Sequence, residues 1–188
     1  MVRAMMFAAT LAAVCFTGNL QAADGDSECL AKGDPIGAFY VTKVAGANED
    51  GVEPGDELCY RCRYGQSPMV MVFARKNSDQ LTALIGELDK AVAKNSDHRL
   101  KSFVTLVGGD GAALQKEAKK LASSTTVSNV PVVVAKDAQN GPRSYKLDPS
   151  SDVTVVIANN SQVVANHSFA AGKVDAAAVL KDVQNAIQ

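Results

Sequence analysis

The chain of 188 residues carries 19 basic and 20 acidic side chains, for a net charge of −1. Near-neutrality without a basic run argues against nucleic acid and against a membrane surface as partners. The length suits one domain with a sizeable core. Arg3 precedes an apolar run from Ala4 to Phe16, and Leu20-Gln21-Ala22 supplies small-residue cleavage chemistry, so residues 1–23 read as a signal peptide. The run is too short to span a bilayer, and Val14 and Ala12 ahead of Cys15 fit a lipobox poorly. The expectation is an exported protein, periplasmic or secreted, with a single domain over residues 24–188.

Ala38 to Val44 sets Phe39, Val41 and Lys43 on one side and Tyr40, Thr42 and Val44 on the other, the alternation of a strand. Ala45 to Asp56, with its glycines and Pro54, reads as a loop, and a short strand or turn follows around Glu57 to Arg61. Met69 to Phe73 is a continuous apolar run after Pro68, as in a strand buried on both faces. From Ser78 to Lys94, Leu81, Leu84, Ile85, Leu88, Ala91 and Val92 form one stripe at helical period, with Asn77 or Ser78 as N-cap. Leu100 to Val107 is strand-like, Ala112 to Ala122 helical and Val130 to Val134 a further buried strand. Val153 to Ala158 and Gln162 to Phe169 flank Asn159-Asn160-Ser161, which suits a tight hairpin turn, and a last helix runs from Asp175 to Ile187. This order predicts an α/β domain: a mostly parallel central sheet, helices on both faces and a carboxy-terminal antiparallel hairpin.

Of the four cysteines, Cys15 falls in the leader, which leaves Cys29, Cys59 and Cys62 in a compartment where thiols pair. Three pairings are open. Cys59 with Cys62 requires a turn, because in extended chain their Cα atoms would lie roughly 10 Å apart. Cys29 with either of the others would close a loop of about 30 residues and staple the amino-terminal segment to the domain, for roughly 3 to 4 kcal/mol.

The opening Gly33-Asp34-Pro35, the Phe39-Tyr40-Val41 strand, the Met69-Val70-Met71-Val72-Phe73 run, Tyr145-Lys146-Leu147 and the Thr154-Val155-Val156-Ile157 hairpin strand together resemble the thioredoxin-like superfamily, in its redoxin and alkyl-hydroperoxide-reductase (peroxiredoxin) type. More narrowly, Leu58-Cys59-Tyr60-Arg61-Cys62-Arg63-Tyr64-Gly65, the Met71-to-Arg75 run and Asn166-His167 are similar to uncharacterised exported redoxin-like proteins of planctomycete-type bacteria. The resemblance implies a thioredoxin-like fold. It also exposes a displacement: a redox-active Cys-x-x-C ordinarily caps the helix after the first core strand, where the helix N-terminus favours a thiolate. Here that corner reads Ala74-Arg75-Lys76-Asn77-Ser78, in which nothing can form a sulfenate, and the Cys-x-x-C stands ahead of the strand. Asp152-Val153 occupies the place of the proline that such redoxins carry before the hairpin strand.

Two functions follow from this. The first is an exported, non-enzymatic binding or structural domain whose cysteines only crosslink. The alternative is a cell-envelope thiol-disulfide oxidoreductase or redox sensor using Cys59 and Cys62, with Cys59 attacking and Cys62 resolving by analogy to other Cys-x-x-C redoxins, helped by Arg61 and Arg63. A protein partner fits either; no cofactor is implied. His98 lies in a polar connection, and His167, the other histidine, has no second imidazole at ligand spacing, so no metal is expected. Gly108-Gly109-Asp110-Gly111 lacks the lysine and serine of a phosphate loop and reads as a strand-to-helix turn.

Overall fold

The computed structural model describes residues 29–188; the signal peptide expected over residues 1–23, and the first residues 24–28 of the expected domain, lie outside the described residues. The elements are β1 (Val41–Ala45), β2 (Glu57–Leu58), α1 (Tyr60–Tyr64), β3 (Met69–Ala74), α2 (Asp79–Lys94), β4 (Lys101–Leu106), α3 (Gly111–Ser124), β5 (Val132–Ala135), β6 (Val153–Asn159), β7 (Gln162–Phe169) and α4 (Ala176–Ala186). The strands make one seven-stranded sheet in the order β2-β1-β5-β4-β3-β6-β7.

The sheet is mixed, not mostly parallel as the element order predicts. β3 runs parallel to β4 and β4 to β5, while β1, β2, β6 and β7 pair antiparallel with their neighbours. The path between β5 and β6 explains the difference. That segment stays at the carboxyl ends of the central strands, where the Ala138 carbonyl accepts the Gly108 N–H and the Asp152 carbonyl accepts the Arg75 N–H. With no crossover back to the far end, β6 can only return antiparallel beside β3.

Helices cover both faces as expected, but unequally: α2, α3 and α4 share one face and only the short α1 lies on the other. The crossovers from β3 to β4 to β5 step in one direction, and right-handed connections then place α2 and α3 on the same face. Leu81, Leu84, Leu88, Leu114, Leu121, Val179 and Val183 of α2, α3 and α4 share one core with Val70, Val72, Val104 and Val155. The opposite face is covered by α1, by the segment around Leu30 to Phe39 and by a 3-10 turn carrying Tyr145, over Met69, Met71, Phe73, Phe103 and Val133. Replacing the fully buried Leu88 with alanine should cost about 2 to 5 kcal/mol in urea unfolding.

Candidate functional site at the Cys59–Cys62 turn

The predicted short strand or turn around residues 57–61 is a two-residue strand followed directly by the five-residue helix α1, which holds the Cys-x-x-C. Cys59 is its N-cap: the backbone is extended (φ −110°, ψ 98°) and Sγ accepts the Cys62 N–H at 3.1 Å. The Arg63 N–H bonds the Cys59 carbonyl at 3.0 Å, closing the turn. Gly65, at φ +62°, ends the helix in the left-handed region and donates to the Arg61 and Cys62 carbonyls. One helical turn brings the two Cα atoms to 5.2 Å and closes a disulfide, S–S 2.09 Å. Of the three pairings open in the sequence, the protein forms Cys59–Cys62. Cys29 lies outside that bridge and is half-buried at the start of the segment covering the aromatic face.

The two sulfur-bearing residues differ in access. Tyr60 and Tyr64, four apart, form the inner side of α1 and pack on Phe103, with centroids 5.7 and 6.0 Å away and 5.5 Å from each other. These tyrosines cap a core and do not line a groove. Docking through them draws Cys59 inward, to 8% exposure, and turns Cys62 and Arg63 to solvent. Lys101 Nζ lies 5.9 Å above the Tyr64 ring. Arg61 is half-buried towards Tyr145, whose phenol is pushed well up by burial and only partly offset by that cation.

A buried polar group anchors the turn from below. Lys43, placed among apolar residues by the alternation of β1, is 2% exposed, and Nζ donates to the Ala47 carbonyl at 3.0 Å, the Val52 carbonyl at 2.7 Å and Asp50 Oδ1 at 2.7 Å. An ammonium has three donors, and each has an acceptor. Asp50 Oδ1 also accepts the Val52 N–H at 2.9 Å, and Oδ2 accepts the Tyr60 hydroxyl at 2.5 Å. The Arg63 guanidinium donates to the Asp50 carbonyl oxygen. Burial alone would raise the Asp50 carboxyl, but the hydrogen bonds from Lys43, Tyr60 and Val52 outweigh it and hold the group below the ordinary carboxylate value. Burial, then the Asp50 carboxylate, push the Tyr60 phenol far above its usual value, so it serves as a donor throughout the physiological range. Sequence reasoning missed Lys43 and Asp50 as a pair; the signal was a lysine in the inward register of an apolar strand.

The corner between β3 and α2 is a capping structure. Ser78 Oγ accepts the Leu81 N–H at 3.1 Å and its hydroxyl donates to the Ala171 carbonyl. Lys76 pairs with Asp152 at 2.9 Å, and Asn77 donates to Glu117 at 3.0 Å. With no cysteine there, the corner cannot run peroxidatic chemistry. His98 is exposed in the α2–β4 connection. His167 pairs with Asp182 of α4 at 3.0 Å and stacks on Phe169, on the face of the sheet opposite α1, so the structure does not bring it to the cysteines.

No protein-family model and no curated protein matches this sequence. Solved structures do match in fold. A protein described as a thiol:disulfide interchange protein DsbE, from Chlorobium tepidum, superposes with a TM-score of 0.63 at 16% identity, over 85% of this chain and 99% of that one. AhpC of Mycobacterium tuberculosis gives 0.61 at 14% identity, over 84% and 98%. A 2-Cys peroxiredoxin of Plasmodium vivax gives 0.58 at 14%, over 81% and 80%. The fold is thioredoxin-like. What this thioredoxin-like chain shares with these redoxins is its fold, and its own disulfide-bonded Cys-x-x-C sits on α1.

Proposed function

We propose that this thioredoxin-like protein is a thiol-disulfide exchange protein of an oxidising, extracytoplasmic compartment, with Cys59 and Cys62 as the exchanging pair. One observation carries the reading: the disulfide spans a single helical turn and presents one residue to solvent while the other sits at the helix N-cap. A bridge across so short a loop contributes about 2 kcal/mol in the chain-entropy model, against roughly 3 to 4 for the distant staple, and it ties no separate segment down. The apolar run from Ala4 to Phe16 behind Arg3 supports export, and a protein disulfide or a second redox protein is the expected partner.

Access sets the order of events. A partner thiolate attacks Cys62 Sγ and forms a mixed disulfide as the Cys59–Cys62 bond breaks. Cys59 leaves with the electron pair, as a thiolate already facing the Cys62 N–H. A second partner thiol then attacks its own sulfur in the mixed disulfide and frees Cys62. Two electrons have passed from the partner dithiol to this protein, and the reverse sequence reduces a substrate disulfide. This reverses the order that motif analogy gives, in which Cys59 attacks.

The non-enzymatic reading has one observation in its favour, the capping role of the β3–α2 corner where other redoxins would carry a cysteine. Insulin reduction measured beside urea unfolding separates the two. The exchange reading expects activity in the wild type and in Cys29→Ser, none in Cys59→Ser or Cys62→Ser, and a stability cost of about 2 kcal/mol or less for those two. An inactive wild type whose disulfide opens only on unfolding would overturn it.

A further inference from the structure

We propose that Asp50 is a positioning residue that sets the reduction potential of the Cys59–Cys62 pair; the inference rests on the exchange reading above. Asp50 gathers the bonds that fix the turn. Its carboxylate takes the hydroxyl of Tyr60, the residue after Cys59, and its carbonyl takes the guanidinium of Arg63, the residue after Cys62. Behind it, Lys43 Nζ spends all three hydrogens on Asp50, Ala47 and Val52, so the aspartate is held to β1 and to its own loop at once. Both flanks of the disulfide are therefore bound to one half-buried residue, itself anchored by the buried Lys43.

The consequence for redox balance is a matter of geometry. In the disulfide one helical turn holds the two Cα atoms 5.2 Å apart. Two thiols need more room than two bonded sulfurs, so reduction must move the sulfurs apart, by side-chain rotation or by opening the turn. A clamp on Tyr60 and Arg63 resists opening and so penalises the dithiol relative to the disulfide. By linkage the disulfide strengthens the clamp to the same degree. Removing the clamp should make the pair easier to reduce.

The test equilibrates the full chain in glutathione buffers of graded ratio, quenches the thiols with an alkylating agent and counts them by mass. Asp50→Asn should shift the equilibrium towards the dithiol by about tenfold, or about 30 mV for this two-electron couple. Tyr60→Phe keeps the ring on Phe103 and removes only the hydroxyl; it should shift the equilibrium in the same direction by about threefold, and it serves where Asp50→Asn folds poorly. Leu88→Ala, on the opposite face, controls for loss of stability alone and should leave the constant unchanged. If Tyr60→Phe and Arg63→Ala move the constant no further than Leu88→Ala does, the positioning role is overturned while the exchange reading stands. A wild-type disulfide that glutathione cannot open in the folded protein overturns both.

Discussion

Asp50→Ala should lower the stability of the protein by about 3 to 5 kcal/mol in urea unfolding at neutral pH, the largest loss expected from any single polar residue here. The change removes the anion facing Lys43 Nζ and leaves a 2%-exposed ammonium with only carbonyl partners. The Tyr60 hydroxyl and the Val52 N–H lose their acceptor as well. Replacing both partners, as Lys43→Met with Asp50→Leu, should cost less than Asp50→Ala alone, because no buried charge is then stranded. The pH dependence has a definite sign. The folded Asp50 carboxyl lies below its unfolded value, so the unfolded chain takes up the proton first as pH falls. The stability it confers is complete above the unfolded value of about 3.9 and is lost as pH falls through the lower folded value. The gap between wild type and Asp50→Ala should therefore hold from neutrality down to about pH 5 and close below about pH 4. A gap that is flat into strong acid would mean that the carboxylate is not what holds the loop.

What the sequence made legible follows the range of the forces involved. The stripe of Leu81, Leu84, Ile85 and Leu88 predicts a helix over Ser78 to Lys94, and α2 is Asp79–Lys94 with Ser78 as its cap, because periodicity and capping are local. The hairpin at Asn159-Asn160-Ser161 is equally local: Asn160 and Ser161 take φ of 49° and 65°, as a two-residue turn between β6 and β7 demands. Strand direction was not legible, since it depends on which end of the sheet the chain reaches, and the segment between β5 and β6 has no periodicity to reveal its path across the carboxyl ends. Five residues are too few to show helical period, so α1 was hidden, although Tyr60 and Tyr64 at a spacing of four already marked its inner side. With α1 unread, the disulfide pairing stayed open. The Lys43–Asp50–Tyr60 group joins residues seven and ten apart across a loop; a buried lysine advertises that it needs an anion, but not which of several nearby carboxylates will fold back to meet it.

The two cysteines should differ sharply as nucleophiles, and the difference decides which one meets the partner. In a Cys29→Ser background, Cys59→Ser leaves Cys62 alone and Cys62→Ser leaves Cys59 alone, and each is mixed with glutathione disulfide while the mixed disulfide is followed by mass. Two effects oppose each other. The N-cap position favours the Cys59 thiolate, but each unit of pKa lowering gains at most about tenfold in thiolate and loses about threefold in intrinsic nucleophilicity, a net gain of about threefold. Burial acts the other way and more strongly, since Cys59 is 8% exposed beneath the docked turn while Cys62 stands in solvent. The Cys62 thiol should therefore react faster, on the order of a hundredfold in the folded protein. In urea the cap and the burial disappear together, and the two rates should converge. Should Cys59 react as fast as Cys62 in the folded state, access would not be limiting and the attacking role would return to Cys59.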